Sequence, residues 1–301
     1  MDIVKEMTRR GEDIEKRLEK YMPEETGLQH TILEAMNYSV FAGGKRLRPM
    51  MMEAAYEMCG GTDKKLIEPF MAAMEMIHTY SLVHDDLPAM DNDDFRRGKE
   101  TTHKHFGEAM GILAGDALLN YAYETMAEAI CGIKEQKLAV RAMHAFAIIA
   151  KKAGIYGMVG GQVVDVESEK KHLDVDKERL DFIYRLKTGA LMEAALMTGA
   201  VLAGVSDYDV SIMEQAGTKL GMAFQIADDI LDVTSTQHVL GKPVGSDIKN
   251  NKTTYVTFEG IEKSKEDVAR LSAEAVAVLD GISGEHTFLR ELFLYLIHRE
   301  K

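Results

Sequence analysis

The sequence predicts an all-α protein, and three observations carry that expectation. Only five prolines (Pro23, Pro49, Pro69, Pro88 and Pro243) interrupt 301 residues. The long segments between them are rich in Ala, Met, Leu, Glu and Lys, the residues that cost least in a helix. Apolar side chains recur at helical spacing, as in Ile67, Phe70, Met71, Met74 and Ile77, and again in Ala190, Leu191, Ala194, Ala195, Thr198 and Leu202. No run alternates apolar and polar residues as a half-buried strand would, and no hairpin dipeptide lies between apolar runs. Most of the twenty methionines are expected to be core, filling gaps between closely packed helices.

Taken in order, the elements begin with a charged N-terminus. Asp2, Lys5, Glu6, Arg9 and Arg10 have no apolar segment behind them, so no signal peptide is expected. Turn signals then fall at residues 22–27, 43–44, 60–63, 132, 160–161, 206–207 and 241–252. None is a long Pro/Ser-rich linker, which favours one large helical domain over residues 1–301. The longest stretch without Asp, Glu, Lys or Arg is residues 194–206, 13 residues. A membrane-spanning helix needs roughly 20, so no membrane span is expected. Two cysteines, Cys59 and Cys131, are too few for a disulfide scaffold, and a cytoplasmic location is the expectation. The formal net charge of −13 disfavours nucleic acid as a partner. At first sight it also disfavours phosphorylated ligands.

Two acidic clusters qualify that charge. The first is Asp85, Asp86, Asp91, Asp93 and Asp94, following the apolar segment from Met71 to Val83. At a helix C-terminus these carboxylates oppose the macrodipole. Pro88 disfavours helical geometry just before it, so the helix is expected to end near Asp86, with Asp91 on the turn that follows. On a straight helix, six residues would carry Asp91 about 240° away from Asp85. Turned back, the two can share one hard cation; taken alone, such a run reads first as an exposed acidic loop. In the second cluster Asp228 and Asp232 share a helix face with Gly221 and Gln225, and Asp229 lies about 100° away. Phe224, Ile226, Ile230 and Leu231 wall it in. Partly buried carboxylates need partners, and Mg²⁺ with its preference for oxygen ligands is the natural one. Two such clusters on apolar helices suggest a cavity between helices with metals at its mouth.

Cations answer the acids. Lys45, Arg46 and Arg48 crowd into the run GGKRLRP at residues 43–49, and Pro49 suits the first turn of a helix. That combination makes an anion site at a helix N-terminus. Arg96, Arg97 and Lys99 follow the first acidic cluster; neutralising its acids is the plainer use for the two arginines. Lys187, Lys242, Lys249 and Lys252 are further candidates. His78 lies seven residues before Asp85 and about 20° off its face. The chain has no nucleophile motif, no zinc-spaced Cys/His set and no P-loop. What remains is Mg²⁺ with Arg and Lys acting on a phosphorylated, otherwise apolar substrate.

In this order the residues resemble the trans-isoprenyl diphosphate synthases, most closely the bacterial farnesyl diphosphate synthases. The matching segments are GGKRLRP (residues 43–49), HTYSLVHDDLPAMDNDDFRRG (78–98), Gly115-Asp116, Gly161-Gln162 with Asp165, Lys187-Thr188-Gly189, and FQIADDILD (224–232). The C-terminal Arg299-Glu300-Lys301 is similar to the family's basic tail. The resemblance implies an isoprenoid-synthase bundle with a deep central pocket, usually a homodimer. It implies Mg²⁺, three ions, with Mn²⁺ as a substitute, held through Asp85, Asp86, Asp91, Asp228, Asp229 and Asp232. Arg96, Lys187, Thr188, Gln225, Lys242 and Lys252 would receive the allylic diphosphate, and Lys45, Arg48, His78 and Arg97 the isopentenyl diphosphate. Thr188 would also stabilise developing positive charge, and Asp165 matches an outer-shell position. Residues 241–252 and the tail are the lid candidates. Tyr80 and Ser81 would form the chain-length floor. In the family an aromatic residue there, with the two-residue Leu-Pro insertion in the first motif, accompanies a fifteen-carbon product and a smaller residue longer chains, so farnesyl diphosphate is the expected product.

Other readings compete. Geranylgeranyl diphosphate would be the product of a deeper pocket. A terpene cyclase would replace the second acidic motif with an Asn/Ser/Glu pattern, which is not seen here. A non-catalytic partner subunit would be expected to lack one acidic motif, and this chain has both. A cation-buffering helical bundle leaves the basic motifs unexplained. After Lys252-Thr253-Thr254-Tyr255, Val256 stands where relatives often have proline.

Overall fold

The structure is a computed structural model that describes residues 1–170, 175–234, 253–282, 284 and 286–298. Its contacts divide the chain into two compact units. The first is Met1–Glu53 with Asp63–Phe146, the second Ala54–Thr62 with Ala147–Lys301. In chain order the helices are α1 Ile3–Leu18, α2 His30–Val40, α3 Leu47–Met58, α4 Lys64–Asp85, α5 Thr102–Phe106, α6 Glu108–Gly132, α7 Gln136–Ala153, α8 Met158–Lys170 and α9 Lys177–Ile183. A π-helix, Tyr184–Gly189, runs straight into α10, Ala190–Ala203. Then come α11 Asp207–Thr234, α12 Tyr255–Glu259, α13 Ile261–Leu279 and α14 Thr287–His298. The fold is all-α, as the proline-poor, helically periodic sequence predicts.

Local chemistry fixes several helix starts. The Asp2 carboxylate accepts the Lys5 amide, Asp63 accepts that of Lys65, and Asp176 accepts that of Arg179. Ser206 and Asp209 exchange side-chain and backbone hydrogen bonds at the entry to α11. Thr254 and Thr257 form a capping box at the start of α12.

The first unit is built on α4, which packs chiefly against α6. The stripe expected from sequence is its core: Ile67, Phe70, Met71, Met74 and Ile77 are each at most 2% exposed. The facing side of α6 presents Ala114, Gly115, Leu118, Ala122 and Met126, all buried. Gly115 allows the close approach, since a Cβ there would lie 2.1 Å from His84 Nε2. In the second unit α11 packs against α13 and α10. Ala190, Leu191, Ala194, Ala195, Thr198 and Leu202 are buried, again as the periodicity predicts. The helical run Lys177–Ala203 is 27 residues long and apolar enough by composition to cross a bilayer. However, 72% of its apolar window is buried, so its apolar surface packs within this unit.

One expectation needs correction. The sequence shows no hairpin signal, yet β1, Phe95–Arg96, pairs antiparallel with β2, Lys99–Glu100. Both residues of the connecting turn have positive φ, Arg97 at 54° and Gly98 at 78°. That is the backbone of a type I′ turn, which twists with the strands it joins. Asn or Asp usually fills the position Arg97 holds, and the flanking strands are too short and polar to show a period.

Candidate active site

In the first unit, α4 ends at Asp85 and Asp86 caps it, as Pro88 predicts. The chain then folds back: the Asp91 amide donates to the Asp85 carbonyl at 2.9 Å, and Asn92 adopts φ 55°. Asp91 is thereby returned to the end of α4. Asp86 points elsewhere. It is buried, and both its oxygens accept from Arg96, at 2.6–2.9 Å. Burial raises its pKa, and the guanidinium opposes that rise. The hairpin supports this pair, because it presents Arg96 back toward α4 while Arg97 turns to the loop before α3.

That loop is strained by design. Gly43, Gly44 and Arg46 all have positive φ, 100°, 129° and 51°. A Cβ at Gly44 would strike the Arg97 guanidinium, whose Nη1 donates to the Gly43 carbonyl. Arg46, only 2% exposed, turns inward and donates to Glu75 on α4 and to the Val40 carbonyl, both at 2.7 Å. Its neighbours turn the other way: Lys45 is exposed, and Arg48 is half-buried with Nη1 3.2 Å from His78 Nε2. Burial lowers the Arg48 pKa to about 10, so it remains cationic at neutral pH.

A guanidinium has no lone pair to offer, so His78 Nε2 accepts and its proton sits on Nδ1. Burial first, then Arg48 and the neighbouring arginines, hold the His78 pKa well below 6.5. The imidazole therefore stays neutral in the folded chain while an unfolded chain takes up a proton near pH 6.5. The native state binds fewer protons below that pH, so stability falls as pH drops through and below 6.5. Denaturant midpoints of the chain and of His78→Asn, compared between pH 7.5 and 5.5, are expected to show a smaller pH slope for the variant.

In the second unit, the π-helix carries Lys187 and Thr188. Lys187 Nζ donates to Asp165 of α8 at 2.6 Å, and the Thr188 hydroxyl donates to Gln225 of α11 at 2.8 Å. Glycines permit these approaches. A Cβ at Gly161 would lie 2.2 Å from the Lys187 amide, and one at Gly221 would lie 2.6 Å from Gly189 Cα. On α11, Asp228 and Asp232 are half-buried one turn apart. Asp229 is only 4% exposed and accepts the Tyr184 hydroxyl at 2.5 Å and the Tyr255 amide at 2.8 Å.

The predicted residues therefore gather into two constellations, one in each unit. Asp85, Asp86, Asp91, Arg96, Arg97, Arg48 and His78 are joined through α4, the hairpin and the loop before α3. Lys187, Thr188, Gln225, Asp228, Asp229 and Asp232 are joined through the π-helix and α11. Tyr80 is buried on α4, its ring edge-on to His84 at 5.8 Å, and the Ser81 hydroxyl donates to the His78 carbonyl. Lys242, Lys249, Lys252, the 241–252 lid candidate and the tail 299–301 lie outside the described residues. Sequence reading missed Glu75, Tyr184 and Tyr255 as supports for these groups. A single buried Glu within the apolar run of α4 was the one available signal, since Tyr184 and Tyr255 look like ordinary helix residues.

The donor set suits a hard divalent cation, since every candidate is a carboxylate oxygen. Among the described residues no three carboxylate, histidine or cysteine side chains converge on one point. Mg²⁺ is commonly held by one or two carboxylates, with substrate phosphates completing its shell. Pairs such as Asp85 with Asp91 fit that mode.

An all-α fold bearing two aspartate motifs, each accompanied by cations, fits a prenyltransferase. The chain belongs to the polyprenyl synthetase family, whose model matches residues 29–278. It is 44% identical to a geranylgeranyl diphosphate synthase of Cyanophora paradoxa, over 88% of this chain and 86% of that protein. It is 43% identical to the heterodimeric geranylgeranyl pyrophosphate synthase large subunit 1, chloroplastic, of Arabidopsis thaliana, over 99% and 80%. Among solved structures, an FPP/GFPP synthase of Zymomonas mobilis superposes with a TM-score of 0.86 at 31% identity, covering 98% of this chain and 99% of that one. A geranyltransferase of Helicobacter pylori, complexed with magnesium and isoprenyl diphosphate, gives 0.81 at 29%, covering 99% and 97%. The expected family and the prenyltransferase class stand. The farnesyl expectation is less well supported than its alternative, because these two relatives and one of Catharanthus roseus are named for geranylgeranyl diphosphate.

Proposed function

We propose that the chain condenses isopentenyl diphosphate with an allylic diphosphate, and that it elongates to the twenty-carbon geranylgeranyl diphosphate. The observation that carries the condensation is the fold-back at the end of α4, which brings the Asp91 amide onto the Asp85 carbonyl; the twenty-carbon length is supported by the names of the relatives. Two carboxylates held at the negative end of a helix favour a cation there. Asp85 and Asp91, with Asp228 and Asp232, are the carboxylates we assign to Mg²⁺. When bound, Mg²⁺ neutralises charge on the departing diphosphate and so favours ionisation of the allylic C–O bond.

The chain's own groups do the rest. Lys187 keeps two of its three ammonium donors after the bond to Asp165 and can grip diphosphate oxygens. Thr188 commits its proton to Gln225, so oxygen lone pairs are what it offers to developing positive charge. Arg48, Arg97 and Lys45 hold the diphosphate of the second substrate, and neutral His78 keeps Arg48 oriented. With the substrates aligned, the homoallylic double bond attacks the allylic carbon, and a proton is then lost to the released diphosphate. Net charge is no obstacle: a diphosphate meets Mg²⁺ and these cations, not bare carboxylates.

A fifteen-carbon product is the second reading, and buried Tyr80 below Asp85 favours it. Incubation with isopentenyl diphosphate, dimethylallyl or geranyl diphosphate and Mg²⁺, then chromatography of the dephosphorylated products, tests both. A dominant twenty-carbon alcohol is expected; a dominant fifteen-carbon one selects the second reading, and absence of any condensation product rejects the function. A homodimer remains the assembly proposed, with a heteromeric partner as the alternative drawn from the Arabidopsis relative's name. A cytoplasmic location is likewise kept as a proposal, with the plastid as alternative from the chloroplastic relatives.

A further inference from the structure

We infer that Asp229 is a positioning residue, clasped by Tyr184 and the Tyr255 amide, that fixes the π-helix carrying Lys187 and Thr188 against the helix carrying Asp228. Its Oδ2 receives both donors, at 2.5 and 2.8 Å, and the two donors are themselves 3.1 Å apart. All three residues are at most 5% exposed. A buried carboxylate oxygen that takes two donors has its lone pairs spent, so it is poorly placed to hold a cation as well.

The three members come from three separate pieces of the second unit. Tyr184 is the first residue of the π-helix, Asp229 follows Asp228 on α11, and Tyr255 opens α12. π-helical turns are rare and occur frequently at functional sites. Here Gly161 and Gly221 admit the neighbouring backbones, and the clasp ties the first residue of the turn. The tie is anchored further out: the Tyr255 hydroxyl donates to Asp267 of α13 at 3.0 Å, and Lys177 lies 4.6 Å above the Tyr255 ring and 3.1 Å from its hydroxyl. One carboxylate oxygen thus sets the register between Lys187, Thr188 and Asp228. A shift there of an ångström would misplace the groups that meet the allylic diphosphate.

The catalytic part of this inference rests on the proposed function; the structural part does not. Tyr184→Phe, Asp229→Asn and Asp229→Ala in the full chain provide the test. Amide hydrogen exchange is read on the unliganded protein, and turnover against Mg²⁺ concentration on the same samples. Tyr184→Phe is expected to speed exchange of the 185–189 amides about tenfold, leave α13 and α14 unchanged, and lower kcat several-fold. Asn keeps an acceptor oxygen, so Asp229→Asn should retain much more turnover than Asp229→Ala, with the Mg²⁺ requirement within about twofold of the parent chain. A tenfold higher Mg²⁺ requirement in Asp229→Asn would make Asp229 a ligand and overturn the inference. So would unchanged exchange at 185–189 in Tyr184→Phe, or a uniform rise across the unit. Should the parent chain condense nothing, the proposed function fails while the exchange comparison still decides the clasp.

Discussion

Asp85→Ala and Asp228→Ala each lower turnover on the order of 10²–10³-fold, the cost typical of removing one preorganised charge-stabilising group. The loss falls on kcat at saturating substrate, because the interaction matters most when the diphosphate departs. Thermal unfolding midpoints stay near that of the parent chain, since both side chains are half-buried rather than core. Asp86→Ala behaves differently. It leaves the Arg96 guanidinium without the carboxylate that accepts three of its hydrogen bonds, so it lowers stability as well as turnover. Steady-state rates over a Mg²⁺ titration, paired with calorimetric melts, separate these patterns. Parent-like kcat in either Asp85→Ala or Asp228→Ala would remove that residue from the cation site.

Adjacent aspartates with different surroundings mark the limit of what the sequence discloses. Helical periodicity predicts the core, and α4 and α10 match it residue by residue. The proline after Leu87 predicts the helix end and puts Asp91 on the turn that follows, because a steric rule acts on the backbone locally; the direction of that turn is not in the rule. Asp86 and Asp229 are another matter. Composition makes them indistinguishable from Asp85 and Asp228, and only tertiary packing turns them inward, onto Arg96 in one case and onto Tyr184 and the Tyr255 amide in the other. The helical wheel gives a hint, setting Asp229 about 100° from Asp228, but it does not name the partner. Arg46 is legible for the same reason only in part. Three cations in four residues predict an anion site, yet a positive φ at Arg46 sends the middle one into the core to meet Glu75, leaving Lys45 and Arg48 outside. Backbone strain of this kind has no signature in residue type.

Tyr80→Ala lengthens the product, whichever chain length the parent makes. Tyr80 lies five residues before Asp85, about 7 Å along the helix from the end to which the proposed function assigns the diphosphate. Its ring is 7% exposed and meets His84 edge-on. His84 is fixed in turn, with Nε2 3.0 Å from the Ile112 carbonyl and Gly115 beneath it with no side chain to displace it. The tyrosine thus packs against a histidine that is itself held, and on the proposed function it is the candidate stop for a growing hydrocarbon. Burial raises the hydroxyl's pKa to about 12, so the Tyr80 side chain is uncharged at neutral pH. Truncation removes the ring and leaves space that apolar chain can fill; the vacated volume also costs about 3–5 kcal/mol of stability. The product distribution, being a ratio, is insensitive to the fraction of folded enzyme, and it is the quantity to read at fixed substrate ratio. A shift by one or more five-carbon units is expected. An unchanged distribution would mean that the stop lies elsewhere than Tyr80.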